Sequence, residues 1–279
     1  MIVVTTVEDL RHALGERAGR SVGFVPTMGA LHRGHLELLH RARAENEVVV
    51  LSVFVNPAQF NDPADLAAYP RTDEADRSHA ELAGVDIYFA PTPDVVYPAG
   101  FTATVALSGP IVETFEGARR GAGHFHGVTT VVTKLFGMVR PDRAYFGQKD
   151  AQQLRVVRAM VADLNIDVRI VAVPTVREPD GLALSSRNVR LSAADRATAL
   201  GLSRALDAGE AAHDRGVTAA EIVLAAELVL TRFGIHPEYL AVVDNADFRQ
   251  LHEVPPSGSV LIVAAEVGGI RLIDNAVLA

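Results

Sequence analysis

The sequence predicts an α/β protein: a doubly wound parallel sheet followed by a smaller α+β domain. Three observations predict it. Short β-rich runs alternate with helical patterns over residues 1–174, the alternation that builds β-α-β units. One run, residues 48–55 (VVVLSVFV), is almost wholly apolar and β-branched, as a strand covered on both faces must be. After Pro174 the texture changes to Ala/Leu-rich helical stretches and then apolar strand-like runs. These define two domains, residues 1–174 and 175–279.

The elements follow in order. Residues 21–25 read as a strand, and residues 34–45 (GHLELLHRARAE) as a helix with Leu36, Leu39 and His40 near one face. Residues 48–55 are the buried strand, residues 71–83 a helix, and residues 86–90 (DIYFA) a third strand. Residues 127–139 (GVTTVVTKLFGMV) are apolar enough for a buried helix. Residues 143–146, 152–164 and 167–173 then give strand, helix and strand. Beyond the boundary, residues 192–214 and 217–233 read as helices, and Ser192 with Asp195 resembles a capping box with Asp in place of Glu. Residues 235–243, 260–267 and a hairpin-like stretch at 268–278 form a small β element.

Composition excludes several function classes. A chain of 279 residues has room for about two domains at ~150 residues each. With 49% hydrophobic and 22% charged residues it builds a core and is not disordered. The formal charge of -8 argues against broad nucleic-acid binding, which needs a basic face, but leaves room for a small anion held by local cations. The absence of cysteine excludes disulfides, thiolate zinc sites, iron–sulfur clusters and a cysteine nucleophile. The start, MIVVTTVEDLRHAL, has no leader pattern, and no apolar stretch nears the ~20 residues that span a bilayer. A cytoplasmic protein with no membrane partner is expected.

Four segments carry chemistry. The first, PTMGALHRGH at residues 26–35, follows the first strand and opens the first long helix. His32 and His35, three apart, project to one side, and a helix N-terminus attracts anions. Gly34 lets a ligand approach the backbone. The second, FGQKDAQQL from Phe146, also ends a strand and starts a helix, so both segments are expected at one sheet edge. Its Lys149 suits a phosphate, and Asp150 can accept from a ribose hydroxyl or orient the lysine. The third, REPDGLALSSRN from Arg177, offers two hydroxyls and an arginine to bind phosphate oxygens. The fourth, FVNPAQF, places Asn56 and Gln59 after the buried strand, with Tyr69 beyond, as polar groups suited to a small substrate. The GHFHG stretch at 123–127 lacks a carboxylate at ligand spacing, so a zinc site is not expected there and a loop nearing the pocket is.

These four blocks, PTMGALHRGH, FVNPAQF, FGQKDAQQL and REPDGLALSSRN in their order and spacing along the chain, resemble the pantoate–β-alanine ligase family over essentially the whole chain. His-x-Gly-His alone would mark only the wider nucleotidyltransferase superfamily. The resemblance implies a Rossmann-like domain with a C-terminal lid, and ATP-dependent condensation of (R)-pantoate with β-alanine through pantoyl adenylate, releasing AMP and pyrophosphate. Mg²⁺ would be held chiefly by phosphate oxygens and water, with no protein metal ligands, and the chain would form a homodimer. His32, His35, Lys149 and Arg187 would be catalytic. The ATP site would comprise Met28, Gly29, Ala30, Leu31, His32, Arg33, Gly34 and His35, then Gly147, Gln148, Lys149 and Asp150, with Val176, Leu184, Ser185, Ser186 and Arg187. Gln59, Gln153, Pro26, Met28, Asn56 and Tyr69 would meet pantoate and β-alanine. Leu184 stands where the family commonly has Met, Ala58 where Thr or Met is usual, and Ala151 where Phe is frequent. Leu for Met is near-isosteric, and the other two departures are expected to shift the pocket's shape rather than change the substrate. A superfamily nucleotidyltransferase acting on another small acceptor is the alternative. A tRNA synthetase relative is disfavoured by the acidic balance, and a catalytically dead sensor by the retained His32, His35, Lys149 and Arg187.

Overall fold

The structure, a computed structural model, describes residues 1–253 and 258–279. It divides into two compact units, Met1–Gly147 with Val156–Val173, and Gln148–Arg155 with Pro174–Ala279. Among the described residues no helix is long and apolar enough to cross a membrane.

The first unit is built on a six-stranded sheet: β1 (Ile2–Val4), β2 (Val22–Thr27), β3 (Val48–Val53), β4 (Ile87–Phe89), β5 (Arg143–Gly147) and β6 (Arg169–Val173). The order is β1-β4-β3-β2-β5-β6, and every pairing is parallel. The doubly wound reading holds. Val48 to Leu51 are wholly buried because helices cover both faces, which explains the unbroken apolar run. On one face, helix Arg33–Glu45 packs Leu38, Leu39 and Ala42 into a cluster with Val25, Leu51, Tyr88 and Tyr145. His40 is exposed rather than on that face, and Leu36 is only half-buried. The buried stripe starts one turn later than expected because the helix's first turn is left to the sheet edge.

The sequence reading missed β1, three residues long at the sheet margin, and helix Val7–Gly15, capped by the Thr6 hydroxyl, as well as the short helices Pro63–Ala68, Pro93–Val96, Pro110–Glu113 and Glu116–Arg120. The expected third strand is therefore the fourth. Helix Ala122–Val139 is also longer than anticipated and absorbs the GHFHG stretch, so that stretch is helix, not loop. Its glycines weaken helix propensity, but Gly127 is required. A Cβ there would meet the Ala58 carbonyl oxygen at 2.2 Å, so only glycine lets the two backbones approach.

In the second unit, helices Ala193–His213 and Ala219–Arg232 cover a three-stranded antiparallel sheet of β7 (Pro237–Asp244), β8 (Ser259–Val267) and β9 (Ile270–Leu278). Leu202, Leu206, Ile222 and Leu230 meet Leu261 and Val263 in its core. The Ser192 hydroxyl accepts the Asp195 N–H at 3.1 Å and donates to the Asp195 carboxylate at 2.6 Å. The shorter Asp thus takes the hydroxyl proton, where a full capping box would reach back to the Ser192 backbone. Thr218 and Glu221 make the complete box one helix later.

Candidate active site

The sheet sets the geometry. β2, β3, β5 and β6 are parallel, with Thr27 paired to Val53 and Gly147 to Val173. All four strands therefore end on one edge, and the four chemical segments are the chain leaving β2, β3, β5 and β6 in turn. The winding reverses between β2 and β5, the switch point where α/β sheets bind ligands. The β2–β5 ladder stops at Phe24, whereas β2–β3 runs to Thr27. Pro26, with no N–H to donate, suits a strand whose pairing on one side has ended.

Beyond β2 the chain turns sharply through Gly29 at φ +81° and Ala30 at φ +51°. Left-handed backbone costs an alanine roughly 1–2 kcal/mol, so something must hold it. That group is Asp76, in the first turn of helix Asp73–Leu82 and 1% exposed. Its carboxylate accepts the Ala30 N–H at 2.9 Å, the Leu31 N–H at 2.7 Å and the Thr72 hydroxyl at 3.1 Å. Sequence reasoning missed Asp76, which sits in an acidic run, Asp73-Glu74-Ala75-Asp76, that looks like ordinary helix-start decoration.

The turn delivers His32 as the N-cap of helix Arg33–Glu45. His32 Nδ1 accepts the Gly34 N–H at 3.1 Å, and His35 Nδ1 accepts the His32 N–H at 3.3 Å. The rings stack with centroids 4.1 Å apart. An Nδ1 that accepts leaves the proton of a neutral imidazole on Nε2. Capping the helix and serving a ligand are therefore compatible: each ring uses one nitrogen on the backbone and makes the other a donor. The first turn contains no acid but does contain Arg33, the reverse of the usual dipole preference and suited to an anionic ligand.

After β3, a 3-10 turn, Pro57–Gln59, is capped by Asn56. Asn56 is 1% exposed and fully engaged. Its Nδ2 donates to Gln59 Oε1 and the Gly127 carbonyl, both at 3.1 Å, and its Oδ1 accepts from Tyr97 at 2.7 Å. His124 Nδ1 lies 2.8 Å from the Gln59 carbonyl. Burial pushes the Tyr97 hydroxyl up to about 12, so it stays a donor. Gln59 Nε2 reaches Met28 Sδ at 3.1 Å, joining the first and fourth segments. Tyr69 stands edge-on to Phe60 at 5.7 Å.

In the second unit, the Gln148 and Lys149 carbonyls both accept from Asn275 Nδ2 at 2.9 Å. Lys149 is half-buried and Asp150 exposed, and Gln153 is half-buried in the first turn of helix Ala151–Asp163. The third segment is a tight hairpin. The Leu184 N–H donates to the Val176 carbonyl and the Glu178 N–H to the Leu182 carbonyl, with Pro179-Asp180-Gly181 at the turn. Arg177 pairs both ways with Asp274, at 2.6 and 3.2 Å, and also donates to the Gly181 carbonyl at 3.2 Å. Burial pulls against the Arg177 charge, but Asp274 holds the guanidinium above its ordinary value. Asn188 Nδ2 donates to Glu178 Oε1 at 2.8 Å, tying Ser185-Ser186-Arg187 to the hairpin. Arg196 holds the Glu178 carboxyl below its usual range, with help from Asn188. Ser186 and Arg187 are exposed and Leu184 and Ser185 half-buried.

Comparisons with known proteins agree with this arrangement. A family model described as pantoate-beta-alanine ligase matches residues 2–277. A pantothenate synthetase of Chloroflexus aggregans is 50% identical over 277 residues, covering 99% of each chain. The crystal structure of pantothenate synthetase from Thermus thermophilus superposes with a TM-score of 0.92 at 50% identity, covering 99% of both chains. A pantoate-beta-alanine ligase from Francisella tularensis, solved with beta-gamma ATP and beta-alanine, gives 0.79 at 33% identity, with 99% and 97% coverage. With full-length likeness at this level, the chain belongs to the pantoate–β-alanine ligase family.

Proposed function

We propose that the chain joins pantoate to β-alanine in two steps at the carboxyl edge of its parallel sheet, with ATP as co-substrate. The observation that carries this is the exit of all four chemical segments from neighbouring parallel strands at the switch point, with two imidazole Nε2–H donors at a helix N-terminus. In the first step the pantoate carboxylate attacks the α-phosphorus. A C–O–P linkage forms and pyrophosphate leaves. In the second, the β-alanine amine attacks the activated carbonyl, an amide forms, and AMP leaves with the bonding electrons while the nitrogen loses a proton. No protein nucleophile is needed, so catalysis consists of placement and charge stabilisation.

His32 and His35 hydrogen-bond the phosphates, His35 from inside the helix's first turn. Met28, Gly29, Ala30, Leu31, Arg33 and Gly34 shape that cradle. Lys149 offsets charge on the phosphates, and Gly147, Gln148 and Asp150 meet the nucleoside. Val176 offers its backbone to adenine, and Leu184, Ser185, Ser186 and Arg187 contact the phosphates. Gln59 and Gln153 bind pantoate, with Pro26, Met28 and Tyr69 around them. Asn56 acts by holding the Gln59 turn, since its amide is spent on Gln59, Ala58, the Gly127 carbonyl and Tyr97. Among the described residues no group of three or more His, Asp or Glu side chains is placed to hold a metal. Mg²⁺ would arrive on the nucleotide, held chiefly by phosphate oxygens and water, and neutralise their charge.

A cytoplasmic homodimer is what the resemblance to the family leads us to expect. Sedimentation at about two chain masses is the expected result. Pyrophosphate exchange tests the first step, and AMP release dependent on both pantoate and β-alanine separates this reading from a nucleotidyltransferase that keeps AMP in its product.

A further inference from the structure

Resting on that reading, we propose that Asp274 and Asn275, neighbours on β9, are positioning residues for adenylate formation. Asn275 sets the turn that aims Lys149, and Asp274 sets the hairpin that begins at Val176. Nothing in the sequence pattern hints at this, because the LIDNAVL run reads as an ordinary apolar strand with two polar interruptions.

Both side chains are buried, Asp274 at 3% and Asn275 at 6% exposure, within a strand whose Leu272, Ala276 and Leu278 belong to the hydrophobic core. A carboxylate and an amide there are costly unless hydrogen-bonded, and an apolar residue would serve the sheet as well. Apart from the Asn275 N–H on Asp274, the side-chain partners of both lie outside the sheet. Consecutive strand residues face opposite sides, and each of these reaches a different chemical segment. Asn275 Nδ2 spends both of its hydrogens on consecutive carbonyls, of Gln148 and Lys149. Two bonds from one rigid amide fix the orientation of that peptide, and with it the direction in which the lysine leaves the chain. A four-carbon side chain is flexible, so a fixed root limits the volume its ammonium explores.

On the other side, Asp274 grips Arg177 with both oxygens, and the same guanidinium donates to the Gly181 carbonyl. The Asn275 N–H donates to Asp274 Oδ1 at 2.8 Å, which orients the carboxylate. One dipeptide thus registers two segments that are 27 residues apart, Lys149 and Val176.

The test is a double-mutant cycle read by pantoate-dependent exchange of labelled pyrophosphate into ATP. Asn275→Ala in the wild-type background is expected to slow exchange about 10- to 100-fold, the usual scale for a misplaced catalytic group. In a Lys149→Ala background the same substitution should cost less than about twofold, because the group it aims is gone. Asp274→Asn should raise the KM for ATP and leave the KM for pantoate within about twofold, since one oxygen of the Arg177 pair is lost. Should Asn275→Ala fail to fold, Asn275→Ser takes its place in the cycle, with thermal unfolding of each variant as the structural control. Equal losses in both backgrounds would overturn the proposal and leave a merely structural asparagine, as would wild-type exchange in both single variants. If the unmutated protein shows no pantoate-dependent exchange, the reading of the function fails first and the proposal falls with it.

Discussion

Asp76→Asn is the most informative single change in the first unit. The wild-type carboxylate accepts two backbone N–H groups, from Ala30 and Leu31, and the Thr72 hydroxyl, all within 3.1 Å. Asparagine keeps the shape but turns one oxygen into an NH₂, so one backbone N–H must face a donor. A buried hydrogen bond to a charged acceptor contributes about 1.5–3 kcal/mol, and an orphaned N–H costs about 1–3 kcal/mol. A loss of roughly 2–4 kcal/mol is therefore expected. The strain held in check at Ala30 is of similar size. The loop should open locally, and 2–4 kcal/mol corresponds to roughly a 30- to 900-fold change in population. The apparent affinity for ATP falls by the fraction of competent loop that is lost. Steady-state exchange should show a raised KM for ATP, and the Ala30 and Leu31 amides should lose hydrogen-exchange protection. Asp73→Asn, exposed on the same helix turn, is the matched control and should change neither. If Asp76→Asn keeps the wild-type KM for ATP and full amide protection, the claim that this carboxylate holds the phosphate loop is refuted.

Other outcomes follow from the same geometry. His35→Ala and Lys149→Ala should each slow pantoate-dependent exchange by ~10²-fold or more while thermal unfolding stays cooperative; a wild-type rate in either variant removes that residue from the mechanism. Gly127→Ala puts a methyl against the Ala58 carbonyl and the Gln59 N–H, at 2.2 and 2.7 Å. Overpacking of this kind costs about 1–3 kcal/mol, and because the displaced turn carries Gln59, the KM for pantoate should rise more than that for ATP. Glu178 titrates below its ordinary 4.5 because of Arg196 and then Asn188. Its ionised form therefore stabilises the fold above about pH 4.5, and that contribution disappears as the pH falls through the depressed value. Denaturant midpoints of wild type and Arg196→Gln should differ most near neutral pH and converge on acidification, and a gap that widens in acid would contradict the assigned sign.

What the sequence revealed and what it hid divide along physical lines. β2, β3 and β5 were readable because double-sided burial writes a continuous apolar run, and the helices of the second unit because their Ala/Leu patterns are long. β1 was not, since three residues at a sheet margin carry no periodicity, and the start of helix Ala122–Val139 was obscured by glycines placed for backbone approach. His32, Gly34 and His35 were legible because the helix cap and the bonds that make it fall within four residues. Asp76, Asp274 and Asn275 were not. Their partners lie 45 or 46 residues away for Asp76, 97 for Asp274 and 126 or 127 for Asn275. A buried polar residue with a remote backbone partner leaves no local signature.

The central claim is that this sheet edge makes an acyl adenylate before the amine is engaged. The direct measurement is exchange of labelled pyrophosphate into ATP, with Mg²⁺ and pantoate present and β-alanine withheld. Exchange should then saturate with pantoate and vanish when pantoate is left out. Exchange that requires β-alanine, or none at all from folded protein that binds ATP, would contradict the claim.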